Sequence, residues 1–102
     1  MDMQKLMQQA QQMQKKLTAA QDELNNTIYE GKSGGSNGVS IKMNGKNEVT
    51  EVNINEELLD KENKEELQDL ILLAMNSAVE QASVDREEKL GSVTGGLNLP
   101  GM

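Results

Sequence analysis

Lysines, one arginine and a run of carboxylates are the side chains in this sequence with most chemistry to offer. There is no His and no Cys. Their absence removes the commonest general base, the commonest metal ligand and every thiolate. Nucleophilic triads and zinc sites are thereby close to excluded. Seven carboxylates crowd residues 56–69: Glu56, Glu57, Asp60, Glu62, Glu65, Glu66 and Asp69. A metal is conceivable there, but the glycine that a calcium loop needs at its sixth position is missing. The run reads as a solvated acidic face. No metal, no cofactor, no small-molecule substrate and no enzymatic activity are expected.

The cations are the remaining candidates. Lys5 opens a first helix, Lys15 and Lys16 lie within it, and Arg86 and Lys89 come near the end of the last helix. A cation on a reachable surface neutralises phosphate, with an affinity that falls as salt rises. If a sheet sits between the inner ends of two long helices, Lys5, Arg86 and Lys89 fall at the outer tips. Lys42 and Lys46 flank a turn and read as solvated strand-edge lysines, which discourage edge pairing. With one Tyr, no Phe and no Trp, nothing is at hand to stack on unpaired bases or to wedge a duplex open. Few Arg, Asn or Gln sit on an obvious reading helix. The inventory supports non-specific binding to duplex phosphates and no more.

Charge sets a limit on that binding. The net charge is −7. Residues 1–50 carry six basic and five acidic residues, net +1, and residues 51–102 carry four basic and twelve acidic, net −8. An acidic total argues against binding nucleic acid over the whole surface and leaves room for a local basic patch. Contacts to two to four phosphates per dimer are expected, giving weak affinity and a shallow salt slope of about −0.9 per phosphate.

The elements that must position these residues are legible. In residues 3–26, Met3, Leu6, Ala10, Met13, Leu17, Ala20 and Leu24 recur at spacings of three and four, a heptad seam free of Gly and Pro. Residues 27–54 change period. Ile28 and Tyr29 mark a short first strand, "KSGGSNG" a flexible loop, and Val39, Ile41 and Met43 alternate with polar residues. "NGKN" at 44–47 predicts a hairpin, either a type I′ turn centred on Asn44 and Gly45 or a slightly longer loop including Lys46. Val49 is out of phase with Val52 and Ile54, so a bulge is expected near Thr50. Asn55 caps a short turn. Asn63 and Glu66 form a capping box that opens a long helix over 64–90. Its apolar face runs from Leu67 to Ala82, and Gly91 reads as its stop. The tail 91–102 is left as a frayed end, or as an arm that docks on a partner or approaches DNA.

One domain over residues 1–102 is expected, of the α+β class in the order α-β-β-β-α. A chain this short buries about 60–70% of its unfolded surface, and its core lacks large aromatics, which favours a homodimer. Nothing in the sequence spans a membrane or reads as a signal peptide, so the expected location is the cytoplasm.

Four stretches together resemble the YbaB/EbfC family of nucleoid-associated proteins: "MQQAQQMQKK", "GGSNGVSIKMNGKNEV", "INEELL" and "TGGLNLPGM". The likeness runs in order over nearly the whole chain. It implies a three-stranded antiparallel sheet flanked by long helices, a tweezers-like homodimer, low-selectivity binding of double-stranded DNA, and association with the bacterial nucleoid. A protein-binding clamp is the alternative, since projecting helices also suit unfolded clients. Basic tips (Lys5, Arg86, Lys89) favour DNA, whereas Met1, Met3 and Met7 favour protein.

Overall fold

Asp2 starts the first helix. Its carboxylate accepts from the amide of Gln4 at 3.0 Å, satisfying one of the free donors of the first turn. The computed structural model of the protein describes residues 2–95. Helix α1 spans Met3–Asn26, about 36 Å at 1.5 Å per residue. Thr27 closes it, its hydroxyl donating to the Glu23 carbonyl at 2.7 Å.

Three strands follow, β1 (Ile28–Ser33), β2 (Val39–Asn44) and β3 (Val49–Ile54), as an antiparallel meander in the order β1-β2-β3. β1 is longer than the alternation suggests, because Lys32 and Ser33 pair with Ser40 and Val39 instead of joining the loop. The connection carries positive φ at Gly34 (76°) and Gly35 (64°). The register slips between Lys42, which faces Glu51, and Met43, which faces Val49. Thr50 is the extra residue, as the phase of Val49 implied, and its hydroxyl donates to the Lys42 carbonyl at 3.3 Å.

The second hairpin takes the longer of its two expected forms. The Asn47 amide bonds the Asn44 carbonyl at 3.1 Å, and positive φ falls on Asn47 (64°), not on Gly45. This is a three-residue loop with a left-handed last residue. The Asn44 side chain holds it, accepting from the amides of Lys46 and Glu48.

Asn55 caps the next turn as expected. The capping box does not form. Asp60 caps a 3-10 turn at Lys61–Asn63 that runs straight into α2, and the Asn63 amide group donates to the Glu57 carbonyl instead. Helix α2 spans Lys64–Gly95. It passes through Gly91, which is therefore not its stop. A helical glycine costs about 1 kcal/mol, and here Leu90 and Val93 on either side are half-buried, so packing carries the helix on. Residues 96–102 of the tail lie outside the described residues.

α2 lies across β1 and β2. Ala74, Ala78 and Ala82 are buried against Tyr29, Val39, Ile41 and Met43. The approach is close enough that a Cβ at Gly31 would collide with the Ala74 carbonyl. Residues 49–53 of β3 stay exposed. The result is elongated, 71 × 26 × 17 Å with a radius of gyration of 19.9 Å, against about 13 Å for a compact chain of this length.

Candidate nucleic-acid interface

Among the described residues, four of the ten cations are engaged by a partner: Lys32, Lys42, Arg86 and Lys89. On the outer face of the sheet, Lys32 pairs with Glu30 at 3.1 Å, and Lys42 lies 3.4 Å from Glu51 and 3.9 Å from Glu30. Exposed pairs like these add little stability, but they neutralise the face. Lys61 and Lys64 sit inside the acidic run. Lys46 is exposed at the hairpin tip, next to Glu48 in the same loop.

Arg86 and Lys89 are not at an outer tip. They sit where α2 passes the root of α1. Arg86 donates to the Gly45 carbonyl at 2.6 Å and to the Asn25 side-chain oxygen at 3.4 Å. Lys89 bridges Glu23 at 3.0 Å and Asp85 at 3.7 Å. The tip expectation placed the sheet between the inner ends of the two helices, with Arg86 and Lys89 beyond it at an outer end. Instead the late residues of α2, within one continuous helix, meet the last turn of α1 at Glu23 and Asn25. Tyr29, buried in the sheet, donates its hydroxyl to Asp85 at 2.7 Å. Burial and then Asp85 push the Tyr29 phenol above its ordinary pKa, and the hydrogen bond to Glu23 foremost raises that of Lys89. Tyr29, Asp85, Lys89 and Glu23 thus form one polar chain tying β1, α2 and α1 together.

Lys5, Lys15 and Lys16 make no ion pair among the described residues, as Lys46, Lys61 and Lys64 make none, and they differ from those in sharing one helix stretch without acids. All three are exposed on α1. From residue 3 to residue 21 the chain has no carboxylate. Among the described residues, no acid lies within ion-pair distance of any of the three. The α1 seam is buried at its root, with Leu24 fully covered and Leu17 and Ala20 half-covered. Towards its start the helix emerges into solvent, and Met3 is 71% exposed. α1 is therefore an uncovered, positively charged arm on an acidic body. The candidate cations divide accordingly: Lys5, Lys15 and Lys16 are available to an anion, and Arg86 and Lys89 hold the arm.

Sequence reading also passed over the glutamines. Gln4, Gln8, Gln9, Gln11, Gln12 and Gln14 are all exposed on the arm. They counted as helix formers and were not read as a surface. The recurrence of Lys5, Gln8, Gln12 and Lys15 at steps of three and four was the available signal.

The YbaB/EbfC DNA-binding family matches residues 1–97. A nucleoid-associated protein of Chloroflexus aurantiacus is 44% identical over 97 residues, 95% of this chain and 96% of its own. One from Legionella pneumophila is 45% identical over 95 residues, 93% of this chain and 83% of its own. In fold, the crystal structure of an uncharacterised Helicobacter pylori protein is similar, with a TM-score of 0.70 at 30% identity, over 86% of this chain and 91% of that one.

Proposed function

The chain belongs to the YbaB/EbfC DNA-binding family, and from that premise we propose that it is a nucleoid-associated protein that grips double-stranded DNA as a homodimer. The grip is mainly on phosphates, with low sequence specificity, and its consequences are for nucleoid organisation and gene expression. The observation that carries this reading is the stretch of α1 over residues 3–21, which holds Lys5, Lys15 and Lys16 and no carboxylate, on a chain of net charge −7. A duplex repels most of this surface and can be approached by α1. Arg86 and Lys89 serve the same function indirectly, by fixing the arm to the sheet.

The homodimer has its own support. Val52 on β3 is 51% exposed, and Leu72 and Val79 on α2 are 59% and 41% exposed. Val79 lines a groove with Gly45 and Asn47 of the hairpin, so this apolar side of α2 borders the β3 side of the sheet. A second copy would cover it. The protein-binding clamp keeps one observation in its favour, the exposure of Met3, Leu6 and Met7 along the arm.

Duplex titrations at several salt concentrations test the proposal. Wild-type log affinity should fall with log salt at a slope of about −2 to −4. Lys5→Gln, Lys15→Gln and Lys16→Gln together should flatten that slope and weaken binding. Lys42→Gln with Lys46→Gln should change neither. The reverse pattern would make the sheet the DNA surface, and unfolded-polypeptide binding without duplex binding would favour the clamp.

A further inference from the structure

The arm has a second side with a composition of its own. The seam residues Leu17, Ala20 and Leu24 turn one side of α1 towards α2 and the hairpin. At about 100° per residue, Lys5, Gln8, Gln12 and Lys15 fall in one row about 130° round the helix from that seam. All four are exposed. Among the described residues, no hydrogen bond holds the side chain of Gln8 or Gln12. The row runs lysine, glutamine, glutamine, lysine.

We infer that Gln8 and Gln12 face into the major groove and donate and accept hydrogen bonds at adenine edges, while Lys5 and Lys15 hold the phosphates on either wall. The inference rests on the reading that α1 is the DNA-contacting arm, and it adds base contact to phosphate contact. The dimensions agree. Lys5 and Lys15 lie about 15 Å apart along the helix axis, and the major groove is about 12 Å wide and admits a helix. Gln8 and Gln12 are about 6 Å apart, close to the rise of two base-pair steps of roughly 3.4 Å each. A glutamine amide offers a donor and an acceptor side by side, matching the N6 amine and N7 of adenine. Further along, the row passes Ala19 and reaches Asp22, a carboxylate that the backbone would repel, so the row ends at the root of the arm. On each arm two uncharged contacts lie between two cationic ones, four of each kind per dimer, and they produce a modest preference, superimposed on binding that most sequences satisfy.

The test uses the full-length protein and two duplexes of one A·T-rich sequence, the second with 7-deazaadenine in place of adenine. That change removes the major-groove N7 acceptor and leaves the phosphates and minor groove as they were. Wild type should bind the substituted duplex several-fold more weakly. Gln8→Ala with Gln12→Ala should bind both equally, with the wild-type salt slope. Alanine favours helix, and circular dichroism of the variant confirms that α1 persists. Equal wild-type affinity for the two duplexes overturns the inference, as does a loss in the variant that is the same on both. In either case the phosphate reading stands, provided that Lys5→Gln with Lys15→Gln still flattens the salt slope. If those lysine substitutions also leave affinity and slope unchanged, the arm itself is the wrong surface.

Discussion

Gly45 and Asn47 sit two residues apart in one hairpin, and they are constrained by different forces. Gly45 has no unusual φ. It is a glycine because a side chain there would strike the Leu24 carbonyl at the root of α1. Asn47 has φ 64° and no such neighbour requirement. Substitution separates the two. Asn47→Gly should be close to neutral, and Asn47→Ala should cost about 1 kcal/mol for holding a left-handed backbone. Gly45→Ala should cost more than Asn47→Ala, roughly 1–3 kcal/mol, because an added methyl overpacks a closed contact. Melting of the three variants checks the order, and equal costs would mean that φ, not contact, governs Gly45. Titration at the same junction has a sign that can be worked out. Tyr29 and Lys89 both have pKa values raised in the folded state. Each then contributes stability that is complete below its unfolded pKa and is lost as pH rises through its folded value. The junction should therefore hold at neutral pH and weaken above about pH 10. Tyrosinate absorbance should rise together with loss of α1 helicity, and Tyr29→Phe should blunt that alkaline transition.

At the scale of elements, what was legible was local. The seven seam positions set α1, the alternation at Val39, Ile41 and Met43 set β2, and the phase of Val49 located the bulge at Thr50. What escaped depended on neighbours distant in sequence. "EGKS" lacks apolar alternation, yet it is strand because Gly31 lets α2 approach and Ser33 donates to the Leu70 carbonyl. Gly91 reads as a stop, yet the helix continues because Leu90 and Val93 are half-buried. Arg86 and Lys89 look like free cations because their partners, Gly45, Asn25 and Glu23, lie 41, 61 and 66 positions away. The site was legible to the same extent: the lysines of α1 were visible as charge, while the partners that take Arg86 and Lys89 out of the free cations were not. The hydrogen bonds of Arg86 yield a prediction about the arm. Arg86→Ala removes a charged donor from a half-buried carbonyl, at a cost of about 1–3 kcal/mol. Most of that cost should fall on α1. Amide exchange at residues 17–24 should speed up several-fold, while exchange in β2 and in α2 around Ala74–Ala78 stays near wild type. Uniform acceleration over the whole chain would show that the arm and the sheet unfold as one unit.

At the scale of the molecule, the protomer looks half-finished. α2 covers β1 and β2, the face of β3 is exposed, and apolar residues line the side of α2 that borders it. A chain of 102 residues with nine buried apolar side chains among the described residues has little core to spare. A second copy placed on the β3 side would enlarge that core and would set two α1 arms on one body. Pairing the arms matters for binding. One arm with three lysines makes few phosphate contacts, but once it is bound the other acts at a high effective concentration, and avidity then exceeds the affinity of either arm. Val52→Glu with Val79→Glu tests this chain of reasoning. Both residues are already exposed in the protomer, so substitution should leave its fold and circular dichroism near wild type. Across a self-complementary interface, each charge would be buried without a partner. Sedimentation at micromolar concentration should therefore show a dimer for the wild type and an 11.2 kDa monomer for the variant. Duplex affinity should drop by at least roughly tenfold although no lysine has changed. A variant that stays dimeric would move the interface elsewhere. A wild type that sediments as a monomer at every concentration would leave each arm to bind DNA alone.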